Sequence, residues 1–321
     1  MIYLGIDVGG TDVKIGVLNE NAEILAKGST PTGVGRPYPE IIRNMAEYSA
    51  ALLKTLGLNA EDVTAVGVGV PGVTTNLTGV VMRCVNMGWW DIPFRDELQK
   101  YINKPVVLGN DADLAGFAES ICGVSAGTSS SVFITLGTGV GGGLILFGRP
   151  WSGHHSAGGE IGHIIMAKDG ILCTCGRRGC LERYCSATAL IRIAREAAAK
   201  HPESMLRAVG GNDLEALNGK NIFACAMAKD PVALEVFGEY IHNLCLALSS
   251  VICLLDPQVI VLGGGLSKDG GFLLDAIHEK IRGYLAFPEV PFADIKIATL
   301  GANAGFIGAA MLARQHMEDT K

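Results

Sequence analysis

A strand, a glycine turn and a second strand occur twice in this chain, and that repeat limits what the chain can fold into. Residues 2–7 and 13–18 are β-rich runs joined through Gly9-Gly10-Thr11. Residues 132–136 lead through Gly137-Thr138-Gly139-Val140-Gly141-Gly142-Gly143 into residues 144–147. The second unit echoes the first, which reads as an internal duplication of one supersecondary unit. After the first hairpin come a weaker strand at 24–28, helical spacing over about 38–56, a buried strand at 65–70 stopped by Pro71-Gly72, a helix at about 93–101, a strand at 106–108 and a helix at about 112–121. That β-β-β-α-β-α-β order fits one α/β layer domain. After the second hairpin the pattern predicts helices at 187–200, capped by Ser186, and at 232–255. Strands at 259–262 and 295–300 and a last helix at 304–315 complete the chain.

At 321 residues the chain is long for one hydrophobic core, so two domains with short connections and a cleft between them are expected. The expected division is 1–117 for an N-terminal α/β domain, with a C-terminal helix at about 303–316 packing back on it, and 118–302 for a larger second domain. A net charge of −6 without a long basic run argues against nucleic acid as a partner. No run of about 18 uninterrupted apolar residues occurs, so no membrane span is expected. The N-terminus lacks a basic region ahead of its apolar residues and reads as a first strand, not a signal peptide. Nine cysteines without a secretion signal suggest a reducing, cytoplasmic setting. Cys84, Cys122, Cys225, Cys245 and Cys253 stand singly and read as core fillers.

Asp7-Val8-Gly9-Gly10-Thr11 joins two strands. Its glycines let backbone N–H groups approach an anion, Thr11 adds a hydroxyl, and Asp7 could hold Mg²⁺ through water. Taken alone the segment is equally a plain hairpin turn. Gly137-Thr138-Gly139 repeats the arrangement, and two matched loops favour a nucleotide held from both sides. Neither is a P-loop or a Rossmann fingerprint, since neither ends in Gly-Lys-Ser/Thr and each leads into a strand. Gly263-Gly264-Gly265, after a buried strand, is either a passage beside an adenosine or a strand-to-helix turn.

Asn110-Asp111 follows a short buried strand and opens a helix. Asp111 can serve as the base that takes a hydroxyl proton during phosphoryl transfer. The local sequence by itself favours a plain N-cap. Glu119, further along that helix, reads as solvated.

Cys173-x-Cys175-x4-Cys180, with His163 upstream, makes a Cys3His set of the kind that closes a structural zinc site. His154 and His155 are the alternative fourth ligands. The set lies between Glu160 and Glu182, so the loop would also fix two carboxylates and the His163 ring.

Together these segments resemble the ROK family of sugar kinases, within the actin–Hsp70–hexokinase superfamily. The matching stretches run from Asp7-Val8-Gly9-Gly10-Thr11 through Gly69-Val70-Pro71-Gly72, Asn86-Met87-Gly88-Trp89, Asn110-Asp111-Ala112, Gly159-Glu160-Ile161-Gly162-His163 and the cysteine loop to Leu300-Gly301-Ala302-Asn303-Ala304-Gly305. The Glu-x-Gly-His and Cys-x-Cys-Gly-x-x-Gly-Cys-x-Glu pair is the most specific part. The resemblance implies a two-domain, actin-like ATPase (ribonuclease H-like) α/β fold with a central cleft and a structural zinc loop. It implies Asp111 as catalytic base and Gly72, Asn86, Asn110, Glu160, His163 and Glu182 as sugar-binding positions. It assigns Asp7, Gly9, Gly10, Thr11, Thr138, Gly139, Gly264 and Gly265 to ATP, and His163, Cys173, Cys175 and Cys180 to Zn²⁺. Many members carry Asn where this chain has Asp113; the base itself is kept.

The implied reaction moves the γ-phosphoryl group of ATP, with Mg²⁺, to the 6-hydroxyl of a hexose. Among the family's activities the resemblance is strongest to its bacterial glucokinases. Fructose, allose, N-acetylglucosamine and N-acetylmannosamine kinases share the same motifs. The family also implies a homodimer or homotetramer. It further includes sugar-responsive repressors with an N-terminal winged helix-turn-helix, for which a chain starting at its first strand has no room. A non-catalytic sugar-binding protein is the remaining alternative, and the presence of Asp111 with both phosphate loops argues against it.

Overall fold

The computed structural model describes residues 1–320 apart from the side chain of Asp269. The chain forms two compact units: residues 1–129, 143–159 and the stretch from Thr299 onward make the first, and residues 130–142 and 160–298 make the second. The first unit opens with strands β1 (Ile2–Val8), β2 (Asp12–Asn19) and β3 (Ile24–Pro31), followed by helix α1 (Tyr38–Thr55) and strand β4 (Val63–Val70). A small antiparallel sheet follows, β5 (Val73–Thr75), β6 (Val80–Cys84) and β7 (Trp89–Ile92), which the sequence pattern did not show. Helix α2 (Phe94–Gln99), strand β8 (Val106–Asn110) and helix α3 (Asp111–Cys122) come next. The main sheet has the order β3-β2-β1-β4-β8. The first three strands are antiparallel neighbours, while β4 runs parallel to β1 and β8 parallel to β4.

The rest of the chain supplies β9 (Ser130–Leu136), β10 (Val140–Leu146), β11 (Arg149–Pro150), α4 (Glu182–Cys185), α5 (Ala187–Lys200), α6 (Met205–Gly210), α7 (Gly219–Met227), α8 (Pro231–Leu255), β12 (Val259–Gly263), α9 (Gly270–Lys280), β13 (Asp294–Ile297) and α10 (Ala304–Asp319). The second sheet has the order β11-β10-β9-β12-β13, with β9, β12 and β13 parallel. Position for position this is the order of the first sheet, so the duplication read from the glycine turns extends to the topology. Two of the boundaries that differ from the sequence reading have a clear physical reason. Gly141–Gly143 belong to β10 rather than to the turn, and a Cβ at Gly143 would meet the Ala112 carbonyl oxygen at 2.5 Å. β13 ends at Ile297 because the chain then leaves the sheet for a 3-10 turn at Gly301–Asn303.

β1 is buried on both faces. Leu4, Ile6 and Val8 pack into a core with Ile41, Ile42 and Met45 of α1 and Phe94 and Leu98 of α2. Tyr3 faces a second core with Phe117 of α3 and Phe306, Ala310 and Met311 of α10. On that face Gly5 and Gly67 are register partners, and a Cβ on either would overlap a backbone carbonyl of α10, that of Phe306 or of Ala309. The paired glycines form the groove that seats the helix.

Glu119 is not solvated: it is fully buried and accepts hydrogen bonds from Thr299 N (2.8 Å), Leu300 N (2.8 Å), the Thr299 hydroxyl (3.1 Å) and Val124 N (2.9 Å). Sequence spacing placed it on an outer face, but the chain returning at Thr299 covers that face. Helix α8 has the length and composition of a membrane span, yet 44% of its apolar window is buried inside the structure. Its buried side, including Val236, Tyr240, Leu244 and Leu248, belongs to the core of the second unit. Of the five single cysteines, Cys84, Cys225 and Cys245 are buried as expected, whereas Cys122 and Cys253 are exposed.

Candidate active site

In the first unit three parallel strands end side by side. Asp7 is in register with Gly69 and Gly69 with Gly109, and one residue on, Val70 pairs with Asn110. The Asp7–Thr11 loop, the Pro71-Gly72 turn and Asn110-Asp111 therefore share the carboxyl edge of the sheet, where open α/β sheets bind ligands. β1 and β8 stand two strand spacings apart, about 10 Å.

The first loop is tight. Gly9 N donates to Asp12 O at 3.0 Å. The Asp7 carboxylate lies 3.9 Å from Lys14 Nζ. Burial pushes the Asp7 carboxyl above its ordinary range, and Lys14 draws it back down. A Cβ on Gly305, in the first turn of α10, would strike that carboxylate. Thr32, not singled out in the sequence, donates its hydroxyl to Gly9 O at 2.7 Å. The only hint to it was a hydroxyl residue just past a strand end.

The helix that carries Asp111 is capped by its neighbour. The Asn110 side-chain oxygen accepts from Ala112 N (2.8 Å) and Asp113 N (3.2 Å), and its amide donates to Gly72 O (3.0 Å). Asp111 is thus the first helical residue, not the cap, which removes the plain reading of its carboxylate. Gly72 has φ +94°, and a Cβ there would overlap Arg83 O, so only glycine fits this turn. Asn86 is exposed in the 3-10 turn Val85–Met87. Burial raises the Cys84 thiol pKa; the Met87 and Asn86 backbone N–H groups oppose this and the Asp111 charge adds to it. One sulfur therefore feels both the Asn86 turn and Asp111.

The second unit repeats the carboxyl-edge arrangement. Gly137 N donates to Gly139 O at 3.0 Å, and Thr188 Oγ1 donates to Thr138 O at 2.7 Å. Gly264, with φ +89°, lies against the Leu136 backbone, so this turn adjoins the Gly137–Gly139 turn. Glu182 accepts from Val140 N at 3.1 Å through Oε2 and from Cys173 Sγ at 3.8 Å through Oε1. It links the glycine turn to the cysteine loop. Glu160 is exposed just ahead of the turn Ile161–His163, and its carbonyl accepts from His163 N at 3.0 Å.

His163, Cys173, Cys175 and Cys180 converge, with all four donor atoms within 4.8 Å of one another. His163 Nδ1 is 3.8 Å from Cys173 Sγ, and Cys175 Sγ is 3.6 Å from Cys180 Sγ. Ligand atoms on a tetrahedral zinc stand about 3.6–3.8 Å apart, whereas a disulfide needs about 2.05 Å. The donor set fits zinc. His154 and His155 pack against each other and are not in this group. The Arg177 backbone N–H lowers the Cys175 thiol pKa, while burial raises that of Cys180.

Two duplicated α/β units, each with glycine turns at the carboxyl edge of its parallel strands, one of them with a Cys3His loop, define a phosphate-handling protein of the actin-like ATPase class. The chain matches the ROK family over residues 3–316, and it belongs to that family. It is 38% identical to the glucokinase of Halalkalibacterium halodurans over 98% of this chain and 95% of that one. It is 36% identical to the glucokinase of Streptomyces coelicolor over 98% of each. A ROK family glucokinase from Streptomyces griseus, solved with glucose and AMPPNP, superposes with a TM-score of 0.83 at 34% identity over 98% of this chain and 100% of that one.

Proposed function

We propose that this protein is an ATP-dependent hexose kinase that moves the γ-phosphoryl group of ATP to the 6-hydroxyl of glucose. The observation that carries the reading is full-length likeness to glucokinases in a chain where Asn110, and not Asp111, caps the helix that opens at Asp111. Asp111 takes the proton of the 6-hydroxyl as that oxygen attacks the γ-phosphorus; the bond to the bridging oxygen breaks and ADP leaves. Gly72, Asn86, Asn110, Glu160, His163 and Glu182 hold the sugar. The Gly9–Thr11 and Thr138-Gly139 turns and Gly264-Gly265 hold the nucleotide with backbone N–H groups and hydroxyls.

Asp7 is the residue to hold Mg²⁺, which supplies charge neutralisation on the phosphates when bound. His163, Cys173, Cys175 and Cys180 are the residues to hold Zn²⁺. With four protein ligands such a site is closed, so this zinc stabilises the loop and leaves the chemistry to Asp111. A cytoplasmic setting is the reading that nine cysteines, three of them in the metal set, support. Assembly as a dimer or tetramer is supported by Leu254 on α8 and Ile165 in the cysteine loop, 76% and 47% exposed.

The test is ADP release from MgATP with glucose, mannose, fructose, allose, N-acetylglucosamine and N-acetylmannosamine, for the wild type and Asp111→Asn. Glucose is expected to give the highest kcat/KM. Asp111→Asn is expected to lower kcat by at least ~10²-fold with sugar binding kept. Unchanged turnover in that variant would sink the assignment of the base.

A further inference from the structure

We propose that Thr32 is a positioning residue for the nucleotide phosphates: it turns the Gly9-Gly10-Thr11 loop so that the Gly10 and Asp12 N–H groups face the ligand. The inference rests on the kinase reading above. Thr32 lies just past the end of β3 and is fully buried, although its side chain is polar. Its hydroxyl donates to Gly9 O at 2.7 Å and its own backbone N–H donates to Thr11 O at 2.8 Å. One residue therefore grips the loop at two carbonyls, on either side of Gly10.

The consequence follows from peptide geometry. The carbonyl of Gly9 and the N–H of Gly10 belong to one planar trans peptide and point in opposite directions. Drawing the Gly9 carbonyl toward Thr32 turns the Gly10 N–H away from the protein interior. The Thr11 carbonyl and the Asp12 N–H are related in the same way. Gly10 is exposed, and a Cβ built on it meets nothing within 4 Å, so the loop is open at Gly10. Backbone N–H groups aimed into such an opening form an anion-binding concavity. Thr32 is itself braced: Arg36 Nη2 donates to Thr32 O at 3.2 Å and Arg36 Nε to Gly33 O at 3.4 Å.

The experiment compares wild type, Thr32→Val and Thr32→Ser by MgATP affinity in titration calorimetry and by separate KM values for ATP and hexose. Valine keeps the shape and removes the donor. Thr32→Val is expected to weaken MgATP about tenfold, the scale of one buried hydrogen bond, with KM for hexose changed less than about twofold. Thr32→Ser is expected to stay within about threefold of wild type. Thr32→Ala replaces valine in the comparison if the latter does not fold, with the same expectation.

A folded valine or alanine variant with wild-type MgATP affinity would overturn the proposal, even with a lowered melting temperature, since that is a merely structural effect. A serine variant as weak as valine would also overturn it. If the wild type binds MgATP and transfers nothing to any hexose, the kinase reading falls and the binding constants still decide the role of Thr32. A wild type that binds no MgATP overturns both.

Discussion

Replacing Glu119 by Gln tests how much of the first unit depends on one buried carboxylate. Oε1 accepts two backbone N–H groups, from Thr299 and Leu300, and Oε2 accepts Val124 N–H and the Thr299 hydroxyl. An amide keeps one acceptor oxygen. In its better orientation the oxygen replaces Oε1, and the NH2 then faces Val124 N–H donor to donor while the Thr299 hydroxyl rotates to accept. One charge-assisted hydrogen bond is lost and one buried donor is left without an acceptor, partly offset by no longer burying a charge. The net cost is about 2–3 kcal/mol. At about 2.1 cal/mol/K per residue, unfolding a chain of 321 residues has an entropy of about 0.7 kcal/mol/K, so the melting temperature should fall by about 3–4 °C. If the first unit melts alone the shift is about twice that. Glu119→Ala removes both oxygens and should cost about 4 kcal/mol or more. Differential scanning calorimetry reads both. A glutamine variant within about 1 °C of wild type, or an alanine variant no worse than glutamine, would refute this account of the carboxylate.

Gly67→Ala places a Cβ on the Ala309 carbonyl, so α10 must shift; the expected loss is about 3 kcal/mol or more, read by denaturant titration. Chelation, or Cys175→Ser, should remove zinc and lower the melting temperature, because structural zinc binding is coupled to folding; metal analysis finding no zinc in the native protein would contradict the assignment. Asp230 caps α8, and although burial works to raise its pKa, hydrogen bonds from Met205 N, Ala233 N and the Ser204 hydroxyl outweigh it and hold the carboxyl below its ordinary 3.8. A lowered folded-state pKa gives stability that is present above the unfolded value and lost as pH falls through the folded one. The stability gap between wild type and Asp230→Asn should therefore be constant above about pH 5 and close below pH 4, measured by denaturant titration across pH. A gap that does not narrow as pH falls below about 4 would count against the cap.

The glycine turns, the cysteine spacing and the alternation of the main strands were legible because each follows from local chemistry. A turn needs residues that tolerate it, a zinc set needs four donors close in the chain, and a doubly buried strand is apolar throughout. The small sheet β5–β7 was not legible, since its strands are only three to five residues long and carry exposed Met82, Arg83 and Trp90. In the site, Asp111 was ambiguous for one reason: Asn110, Asp111 and Asp113 are all competent caps, and only geometry shows which of them bonds the free N–H groups.

The sequence alone determined the duplicated hairpins, the family resemblance and the Cys3His donor set, because these depend on residues near one another along the chain. Tertiary structure alone decided the roles of Gly5, Gly67, Thr32 and Glu119. Their partners, α10, the Gly9–Thr11 turn and the Thr299-Leu300 backbone, are between about twenty and three hundred residues away in the chain. A glycine that admits a helix, or a carboxylate that satisfies backbone donors, looks like any other until the chain returns to cover it, since burial and hydrogen bonding are set by what packs against a residue.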